Sequence, residues 1–451
     1  MSSRHVAVLA FPFGSHAGPL LSLVRNLAKA GPDVKFSFLS TARSNGIIFS
    51  KADDGDGSFR NIKPYDVNDG LPQGYVPSRN PVEPVELFLK ETPENFTRAL
   101  EMVEAETGLK VGCLISDAFF WFAGDMADKM NVPWISLWTA APRSLLLHVE
   151  TDAIRQALKT NRSGDQTLDF LPGFSVIRKV DLPEGVIVSE NSESPFEKLL
   201  HKMGHKLPQA TAVAINSFQQ IDPETLHLLK ARFKKFLNVG PFTLTCPSPS
   251  RPDNHGCLEW LNKHQPSTVV YISFGTVITP PPHEIEAFAE ALEASGFPFL
   301  WSFRGSVENF FSKGFMDRTC GTIGKLVPWA PQVQVLNHSS VGAFVTHCGW
   351  NSILESIGGG VPMICRPFFG DQKLNMRMVE AVWKIGVQVE GGVFTKSGTI
   401  DALQRILLGE GKEMRERLGV MKKLAYEAVS SGGTSTNDFN TLVGIVNQIK
   451  M

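Results

Sequence analysis

Residues 5–40 are HVAVLAFPFGSHAGPLLSLVRNLAKAGPDVKFSFLS. The first seven residues form an almost unbroken apolar run, which is typical of a parallel strand buried on both faces. A glycine-marked turn follows, and apolar residues between Leu20 and Ala28 then recur at helical spacing until a Gly-Pro pair. Residues 34–40 have the pattern of a second strand. This order of elements predicts an α/β fold with a mostly parallel sheet.

The same alternation continues along the 451 residues and is interrupted once, at residues 240–256, GPFTLTCPSPSRPDNHG. This stretch contains four prolines and no periodicity, as a linker does. We therefore predict a Rossmann-like domain over 1–243, a linker over 244–255 and a second Rossmann-like domain over 256–451. The last helix can pack back on the N-terminal domain. Ligands bind at the carboxyl ends of such strands, so we expect the two parallel sheets to face a cleft.

The composition excludes several classes of protein. The chain has 44 basic and 45 acidic residues, so it lacks the charge that a nucleic acid or an anionic membrane would attract. No stretch approaches the roughly 18 apolar residues of a membrane span. Six scattered cysteines form no C-x-x-C pair, which fits a cytoplasmic protein without a zinc site or a disulfide framework. We expect a monomer that uses no metal ion and no cofactor.

The most informative segment is residues 329–372, WAPQVQVLNHSSVGAFVTHCGWNSILESIGGGVPMICRPFFGDQ. Its centre, HCGWNS, ends a strand and begins a helix, and the N–H groups at a helix N-terminus bind anions such as a diphosphate. Glu355, one turn further on, could accept hydrogen bonds from two neighbouring hydroxyls, and Trp329 could stack on a planar base. Asp371 and Gln372 offer groups that suit a polyol. Taken singly, each feature is more typical of a helix cap, an ordinary crossover or a core residue than of a binding site.

Taken together, these residues resemble the C-terminal signature of plant secondary-product glycosyltransferases, which use UDP-sugars on a two-domain GT-B scaffold. The resemblance implies that the N-terminal domain binds the acceptor and the C-terminal domain the UDP-sugar. It implies that Trp329 stacks on the uracil, that Gln332 helps to fix it and that Glu355 holds the ribose hydroxyls. The complete set of implied UDP-sugar residues is Thr139, Thr276, Ser302, Trp329, Ala330, Gln332, His347, Trp350, Asn351, Ser352, Glu355, Asp371 and Gln372.

The same resemblance divides the rest of this set between the diphosphate and the sugar. The residues implied for the diphosphate are Thr276, Ser302, His347, Asn351 and Ser352. The residues implied for the sugar are Thr139, Trp350, Asp371 and Gln372. A glutamine at the last position is usual for enzymes of the family that use UDP-glucose, whereas some that use galactose have histidine there.

A second constellation consists of His16 and Asp117. His16 lies in the turn after the first strand, and Asp117 directly follows a strand that ends at Ser116. In a parallel sheet both residues would lie at the carboxyl edge. A neutral imidazole oriented by a carboxylate can deprotonate a hydroxyl. The spacing alone is usually coincidence, and it is the resemblance that identifies the two residues as the catalytic base and its partner.

Over the whole chain the sequence is most similar to the flavonoid 3-O-glucosyltransferases, which act on anthocyanidins and flavonols. Segments such as SDAFFWFAGDMA and RPFFGDQKLN carry this similarity. The candidate acceptor contacts are Ser15, Phe119, His148, Asp181, Glu184 and Phe369. Aromatic residues near the cleft loops could stack on a flat polyphenol, but core packing explains them equally well.

We therefore expect inverting, metal-independent transfer of glucose from the co-substrate UDP-glucose to a flavonoid hydroxyl, the 3-hydroxyl of an anthocyanidin or flavonol. The alternatives are another lipophilic acceptor such as a terpenoid or a hormone, UDP-galactose as donor, or a nucleotide-sugar-binding protein without turnover. Asp54-Gly-Asp56 is a literal D-x-D, a pattern of metal-dependent sugar transferases. Because it lies in a polar stretch with no strand before it, we interpret it as a solvated turn.

Overall fold

The chain folds into two compact units, each assembled from separate stretches of sequence. The computed structural model describes residues 4–49, 60–76, 83–159, 165–187, 193–246 and 252–448. The first unit consists of Met1–Thr160, Glu184–Pro247 and Ala428–Met451, and the second of Asn161–Pro183 and Ser248–Glu427. Residues 161–183 therefore belong to the second unit and residues 428–451 to the first, although each stretch is distant in sequence from most of its unit. The linker pattern, in contrast, divides the chain at a single place.

The first unit contains a seven-stranded parallel sheet with the order β3-β2-β1-β4-β5-β6-β7. Its strands are β1 (Arg4–Leu9), β2 (Val34–Thr41), β3 (Ile62–Val67), β4 (Cys113–Asp117), β5 (Trp134–Trp138), β6 (Ala212–Ile215) and β7 (Phe236–Asn238). The spatial order reverses between β1 and β4, which pair in parallel with Leu9 opposite Ser116. Loops at such a switch point are where open α/β sheets bind ligands.

The helices of the first unit cover this sheet. Those before the linker are α1 (Ala17–Ala30), α2 (Ala42–Ile48), α3 (Glu83–Thr107), α4 (Phe122–Met130), α5 (Pro142–Val149), α6 (Thr151–Leu158), α7 (Pro195–Lys206), α8 (Pro223–Arg232) and α9 (Phe242–Thr245). The helical spacing in α1 has its expected consequence, because Leu20, Val24 and Leu27 are buried in one core with Val6 and Val8 of β1.

The second unit contains a six-stranded sheet with the order β10-β9-β8-β11-β12-β13. Its strands are β8 (Val269–Ser273), β9 (Phe299–Ser302), β10 (Gly324–Val327), β11 (Val341–Thr346), β12 (Met363–Cys365) and β13 (Gly386–Gln388), and all pairs are parallel. The order again reverses at one point, between β8 and β11, where Thr346 lies opposite Ser273. The two sheets confirm the predicted α/β class with parallel sheets.

The remaining helices follow the linker. They are α10 (Cys257–Leu261), α11 (Pro282–Ser295), α12 (Lys313–Thr319), α13 (Gln332–Leu336), α14 (Trp350–Gly359), α15 (Gln372–Arg377), α16 (Lys396–Gln404), α17 (Gly411–Val429) and α18 (Thr434–Asn447). The last of them, α18, belongs to the first unit, since Leu442 and Val446 pack in its core and Asp438 Oδ2 accepts the N–H of Asn238 at 2.8 Å. Within the described ranges, no helix combines the length and the apolar character that crossing a membrane requires.

Candidate functional site

The first group of candidate residues lies at the switch point of the first unit. His16 directly precedes α1, and Asp117 is the last residue of β4. His16 Nδ1 lies 2.8 Å from Asp117 Oδ2 and 3.1 Å from Thr139 Oγ1. The tautomer that satisfies the carboxylate has its proton on Nδ1, which donates to Asp117. In this tautomer Nε2 has a lone pair and can accept a proton.

Asp117 is held so that it can orient the imidazole. Its side chain is 1% exposed, and its second oxygen, Oδ1, accepts the N–H of Phe119 at 2.9 Å. Both carboxylate oxygens therefore have partners, which fixes the plane of the group. The side chain of His16 is 20% exposed, so a solvent-borne hydroxyl can reach it. A buried carboxylate behind a partly exposed imidazole is an arrangement suited to general-base catalysis.

Aromatic rings surround His16. The ring centroids of Phe119 and Phe11 lie 4.5 and 5.1 Å from that of its imidazole. Phe119 also contacts Trp138 and Phe196, at 6.3 and 5.7 Å between centroids. Aromatic surface of this kind can hold a flat, apolar molecule by stacking and edge-to-face contacts.

His148 is a second polar group of this unit with an unused hydrogen-bonding atom. It lies on α5, is 5% exposed and meets the ring of Trp138 edge-on at 5.7 Å. Burial lowers the pKa of His148 to about 4, so the imidazole is neutral at physiological pH. Its buried Nδ1 has no hydrogen-bond partner among the described residues. A ligand hydroxyl at that position would satisfy it.

The other predicted acceptor residues lie in less informative surroundings. Ser15 and Glu184 are exposed in the first unit, and Phe369 is half-buried in the second. Asp181 is 1% exposed in the second unit, where Arg178 donates from Nε to its Oδ2 at 3.0 Å and from Nη2 to its Oδ1 at 2.9 Å. Both of its carboxylate oxygens are occupied within the chain. The acceptor contact that we predicted for Asp181 stays a prediction, and an acceptor hydroxyl there would share the carboxylate with Arg178.

The second group of candidate residues lies at the switch point of the second unit, around His347, which follows β11. Burial lowers the pKa of His347 to about 4, and its buried Nδ1 has no partner in the described part of the chain. A Cβ on Gly275 would lie 2.8 Å from Cε1 of this ring, and one on Gly349 would lie 2.5 Å from Nε2. The neutral ring therefore fits only because glycine occupies both positions.

Helix α14 begins beside this histidine. Gly349 is its extended N-cap residue and offers no capping side chain, so the first helical turn includes Asn351 and Ser352 as possible donors to an anion. The indole of Trp350, in contrast, is 3% exposed and packs against Trp383 at 6.4 Å between ring centroids. This side chain packs in the core, and the sugar contact that we predicted for Trp350 stays a prediction.

Gln332, the first residue of α13, connects three other side chains. Its Nε2 donates to Glu355 Oε2 at 2.6 Å and to Ser352 Oγ at 3.2 Å, and its Oε1 accepts from the hydroxyl of Tyr271 at 3.0 Å. Burial raises the pKa of Glu355 to about 7, although the hydrogen bond from Gln332 opposes this rise. No local pattern pointed to Tyr271, because only the folded protein brings β8 next to α13.

Four other predicted residues of the UDP-sugar set lie at strand ends of the same sheet. Trp329 is half-buried just after β10, and Ala330 beside it is 4% exposed. Thr276 and Ser302 line a small open pocket together with Gly275. These positions are at the carboxyl ends of β8, β9 and β10, where ligands of parallel sheets bind.

The side chain of Gln372 holds the loop before α15 and can also contact a ligand. It is 4% exposed, and its Oε1 accepts the N–H groups of Phe368 and Phe369 at 2.9 and 3.2 Å. The carbonyl end of the side chain is thus occupied by the backbone. What Gln372 can offer a sugar hydroxyl is its amide N–H donors.

Asp371 is positioned by a residue that the sequence did not point to. Asn375, one turn along α15, donates from Nδ2 to Asp371 Oδ2 at 2.9 Å and to the carbonyl oxygen of Cys348 at 3.0 Å. Asn375 is fully buried, and it therefore ties Asp371 to the loop that precedes α14. The i, i+4 spacing of Asp371 and Asn375 is the one signal that could have identified this pair. Asp54 and Asp56 lie outside the described residues.

Comparison with known proteins adds three findings. Residues 79–423 match the family model described as UDP-glucoronosyl and UDP-glucosyl transferase. A flavonoid 3-O-glucosyltransferase of Medicago truncatula is 53% identical over 98% of this chain and 96% of its own length. An anthocyanidin 3-O-galactosyltransferase of Actinidia chinensis var. chinensis is 51% identical over 99% of this chain and 97% of its own length.

A solved structure shares the fold along the whole chain. It is the crystal structure of a UDP-glucose:anthocyanidin 3-O-glucosyltransferase in complex with UDP, with 42% sequence identity, a TM-score of 0.94 and coverage of 99% of both chains. This match confirms the predicted GT-B fold class.

Proposed function

Because the chain belongs to the UDP-glucoronosyl and UDP-glucosyl transferase family, we propose that it transfers glucose from UDP-glucose to the 3-hydroxyl of a flavonoid. Full-length identity of about half to enzymes named flavonoid and anthocyanidin 3-O-glucosyltransferases supports these substrates. The observation that carries the reaction is the hydrogen bond from His16 to the buried Asp117. A nucleotide-sugar-binding protein without turnover would need no oriented base.

In this reaction His16 is the general base. Nδ1 is engaged with Asp117, so the acceptor hydroxyl gives its proton to Nε2 as its oxygen attacks the anomeric carbon of the sugar. The carboxylate of Asp117 stabilises the imidazolium that forms. The bond between the anomeric carbon and the diphosphate breaks in the same step, so the α-linked donor yields a β-glucoside.

The second unit binds the UDP that leaves. The first turn of α14 and the side chains of Asn351 and Ser352 offer donors to the diphosphate, whose negative charge the helix N-terminus favours. The neutral imidazole of His347 can donate a further hydrogen bond. Glu355 accepts hydrogen bonds from the ribose, and Trp329 stacks on the uracil. Because these donors and the helix N-terminus stabilise the negative charge of the diphosphate, we propose that catalysis needs no metal ion.

The amide of Gln372 is proposed to select glucose, and UDP-galactose is the second candidate donor. That candidate has a specific basis, since a galactosyltransferase is almost as similar to this chain as the glucosyltransferases are. Glucose and galactose differ in the orientation of one hydroxyl, and a hydrogen bond left unmade in a buried site costs roughly 1–3 kcal/mol. The choice therefore depends on the angle at which the loop before α15 presents the Gln372 amide.

The direct test is incubation of the protein with UDP-glucose and a panel of anthocyanidin, flavonol and terpenoid aglycones in buffer that contains EDTA. We expect a monoglucoside of at least one flavonoid, with a β-anomeric proton in its NMR spectrum and glucose on the 3-oxygen. An α-linkage, a product that appears only with Mn²⁺ or Mg²⁺, or glycosylation of the terpenoids alone would contradict the proposal. We further propose that the enzyme acts as a monomer in the cytoplasm; the six cysteines, all present as thiols, fit a reducing compartment.

A further inference from the structure

A cluster of three side chains with metal-ligating atoms lies on the surface of the first unit, where α6 meets α7. His201 and His205 are four residues apart on α7, so they share one face of the helix. Asp152 is in the first turn of α6. The ligating atoms of the three side chains all lie within 4.8 Å of one another, and the structure has no second such group of three among the residues it describes.

The distances within the cluster approach those of a metal site. His201 Nε2 lies 2.8 Å from Asp152 Oδ1, His205 Nε2 lies 3.0 Å from Asp152 Oδ2, and the two Nε2 atoms are 3.2 Å apart. In a tetrahedral zinc site with bonds of about 2.0–2.1 Å, neighbouring ligand atoms are about 3.3 Å apart. The three groups therefore need to open only slightly to admit an ion.

Packing of α7 holds the two histidines in this position. The helix begins with a capping box in which Ser194 and Glu197 each bond the other's backbone N–H. Near its end, a Cβ on Gly204 would overlap the carbonyl oxygen of His148 at the end of α5. This close approach places α7 directly against the end of α5, which α6 follows in the chain.

A second carboxylate lies behind the cluster. Glu193 Oε1 is 4.0 Å from His201 Nδ1, and Arg155 donates to the same oxygen at 2.6 Å. Arg155 also donates to the carbonyl oxygen of Gly185 at 2.8 Å, which anchors it to the neighbouring loop. Metal-bound histidines usually have a carboxylate or carbonyl near their other ring nitrogen. Glu193 is placed to fill that role for His201.

We propose that Asp152, His201 and His205 bind a zinc ion, with water as the fourth ligand. Two imidazoles and one carboxylate form a donor set that suits zinc, with the open position left by three protein ligands. The ion would join α6 to α7 and stabilise the first unit, because a ligand that binds only the folded state raises its stability. It takes no part in the transfer reaction, which uses none of these residues.

Calorimetric titration of the full chain with ZnCl₂ tests the site. The protein is produced without a polyhistidine tag, treated with EDTA and dialysed. We expect one saturable site, a higher melting temperature with Zn²⁺, and an affinity at least about tenfold weaker in H201A, H205A and D152N. The matched control is H227A, which removes an exposed histidine on α8 and should bind as the unmodified protein does.

The alternative is that the cluster is only a pair of histidine–carboxylate hydrogen bonds. In that case the unmodified protein binds no stoichiometric Zn²⁺, or H201A and H205A bind it as well as H227A does, and either result overturns the proposal. Visible absorption of the Co²⁺-loaded protein provides an independent check, since three protein ligands and a water predict the strong bands of a four-coordinate site. Glucosyl transfer in EDTA should be the same in H201A and in the unmodified chain, so failure of this site is distinguishable from failure of the proposed activity.

Discussion

Glu355 is the residue of the donor site whose charge changes near neutral pH. Its pKa is raised by burial from an ordinary value of 4.5 to about 7, and Gln332 supplies one hydrogen bond to the carboxylate. Ribose hydroxyls that donate to this group favour its ionised form. The folded protein binds the proton more tightly than the unfolded chain does, so this residue makes stability fall as pH rises from about 4.5 to about 7.

We predict that UDP-glucose binds about tenfold more weakly at pH 6 than at pH 8, because only the ionised fraction of Glu355 is competent. UDP-glucose is the proper ligand for calorimetry, since its diphosphate has no proton that titrates in this range. The control is Glu355→Gln, which keeps the shape of the side chain and should bind weakly and equally at both pH values. A pH dependence that persists in this variant would assign the effect to another group.

Two substitutions of Gln372 distinguish its role in holding the loop from its contact with the sugar. Gln372→Glu keeps an oxygen that can accept the N–H groups of Phe368 and Phe369 but replaces the amide donors, whereas Gln372→Ala loses both interactions. We predict that unmodified protein prefers UDP-glucose over UDP-galactose by at least about tenfold in kcat/KM. Gln372→Glu should abolish most of this preference while the melting temperature stays near that of the unmodified protein. Equal kcat/KM for both donors in the unmodified chain would show that Gln372 does not determine which donor is preferred.

Several site residues could be predicted from the sequence because they follow strands directly. His16 and Asp117 come after β1 and at the end of β4, and His347 comes after β11, so chain order alone brings them to a sheet edge. Tyr271 and Asn375 could not be predicted in this way. Their roles depend on which side chains face them in the fold, and the one local signal is the i, i+4 spacing of Asn375 from Asp371.

At the scale of elements, the backbone at the N-terminus of α14 lies so close to the imidazole of His347 that only glycine fits at position 349. The Cβ of Gly349→Ala would lie 2.5 Å from His347 Nε2, so the imidazole would have to move away from the first turn of the helix. We predict that UDP-glucose affinity falls by about ten- to a hundredfold, which corresponds to one or two lost hydrogen bonds. Isothermal calorimetry measures this directly.

Gly358→Ala is the matched control in the same helix, because a Cβ there meets nothing within 4 Å. It should leave donor affinity unchanged and raise helix stability by about 0.5–1 kcal/mol. If Gly349→Ala bound UDP-glucose as tightly as Gly358→Ala does, the position of His347 would not matter for donor binding.

Two elements show where prediction from sequence stops. The apolar spacing of α1 predicted its buried face, since the period of a helix is visible in its own residues. The same reasoning could not assign residues 161–183 to the second unit, because that stretch has no helical or strand period and is held by contacts such as Arg377 Nε to the carbonyl oxygen of Val176 at 2.9 Å. Likewise, Asp152 and the histidines of α7 are 49 residues apart or more and meet only in the folded unit.

At the scale of the whole molecule, the proposed reaction divides its tasks between the two units. The first unit contributes the base, its carboxylate and the aromatic surface, and the second contributes the groups for uracil, ribose and diphosphate. Loss of the base should therefore affect turnover without affecting donor binding, and loss of a donor contact should do the reverse. This separation is what distinguishes a transferase from a protein that merely binds a nucleotide sugar.

The most direct test of the reaction is kcat together with the Kd for UDP-glucose in His16→Ala. We predict that kcat falls by about 10²–10⁴ while Kd stays within about twofold of the unmodified protein, since general-base catalysis contributes that much and the imidazole holds no part of the donor. Asp117→Asn should lower kcat in the same direction with the same Kd, because its amide no longer fixes the imidazole tautomer. Turnover of His16→Ala within a few-fold of the unmodified enzyme would contradict the assignment of His16 as the base.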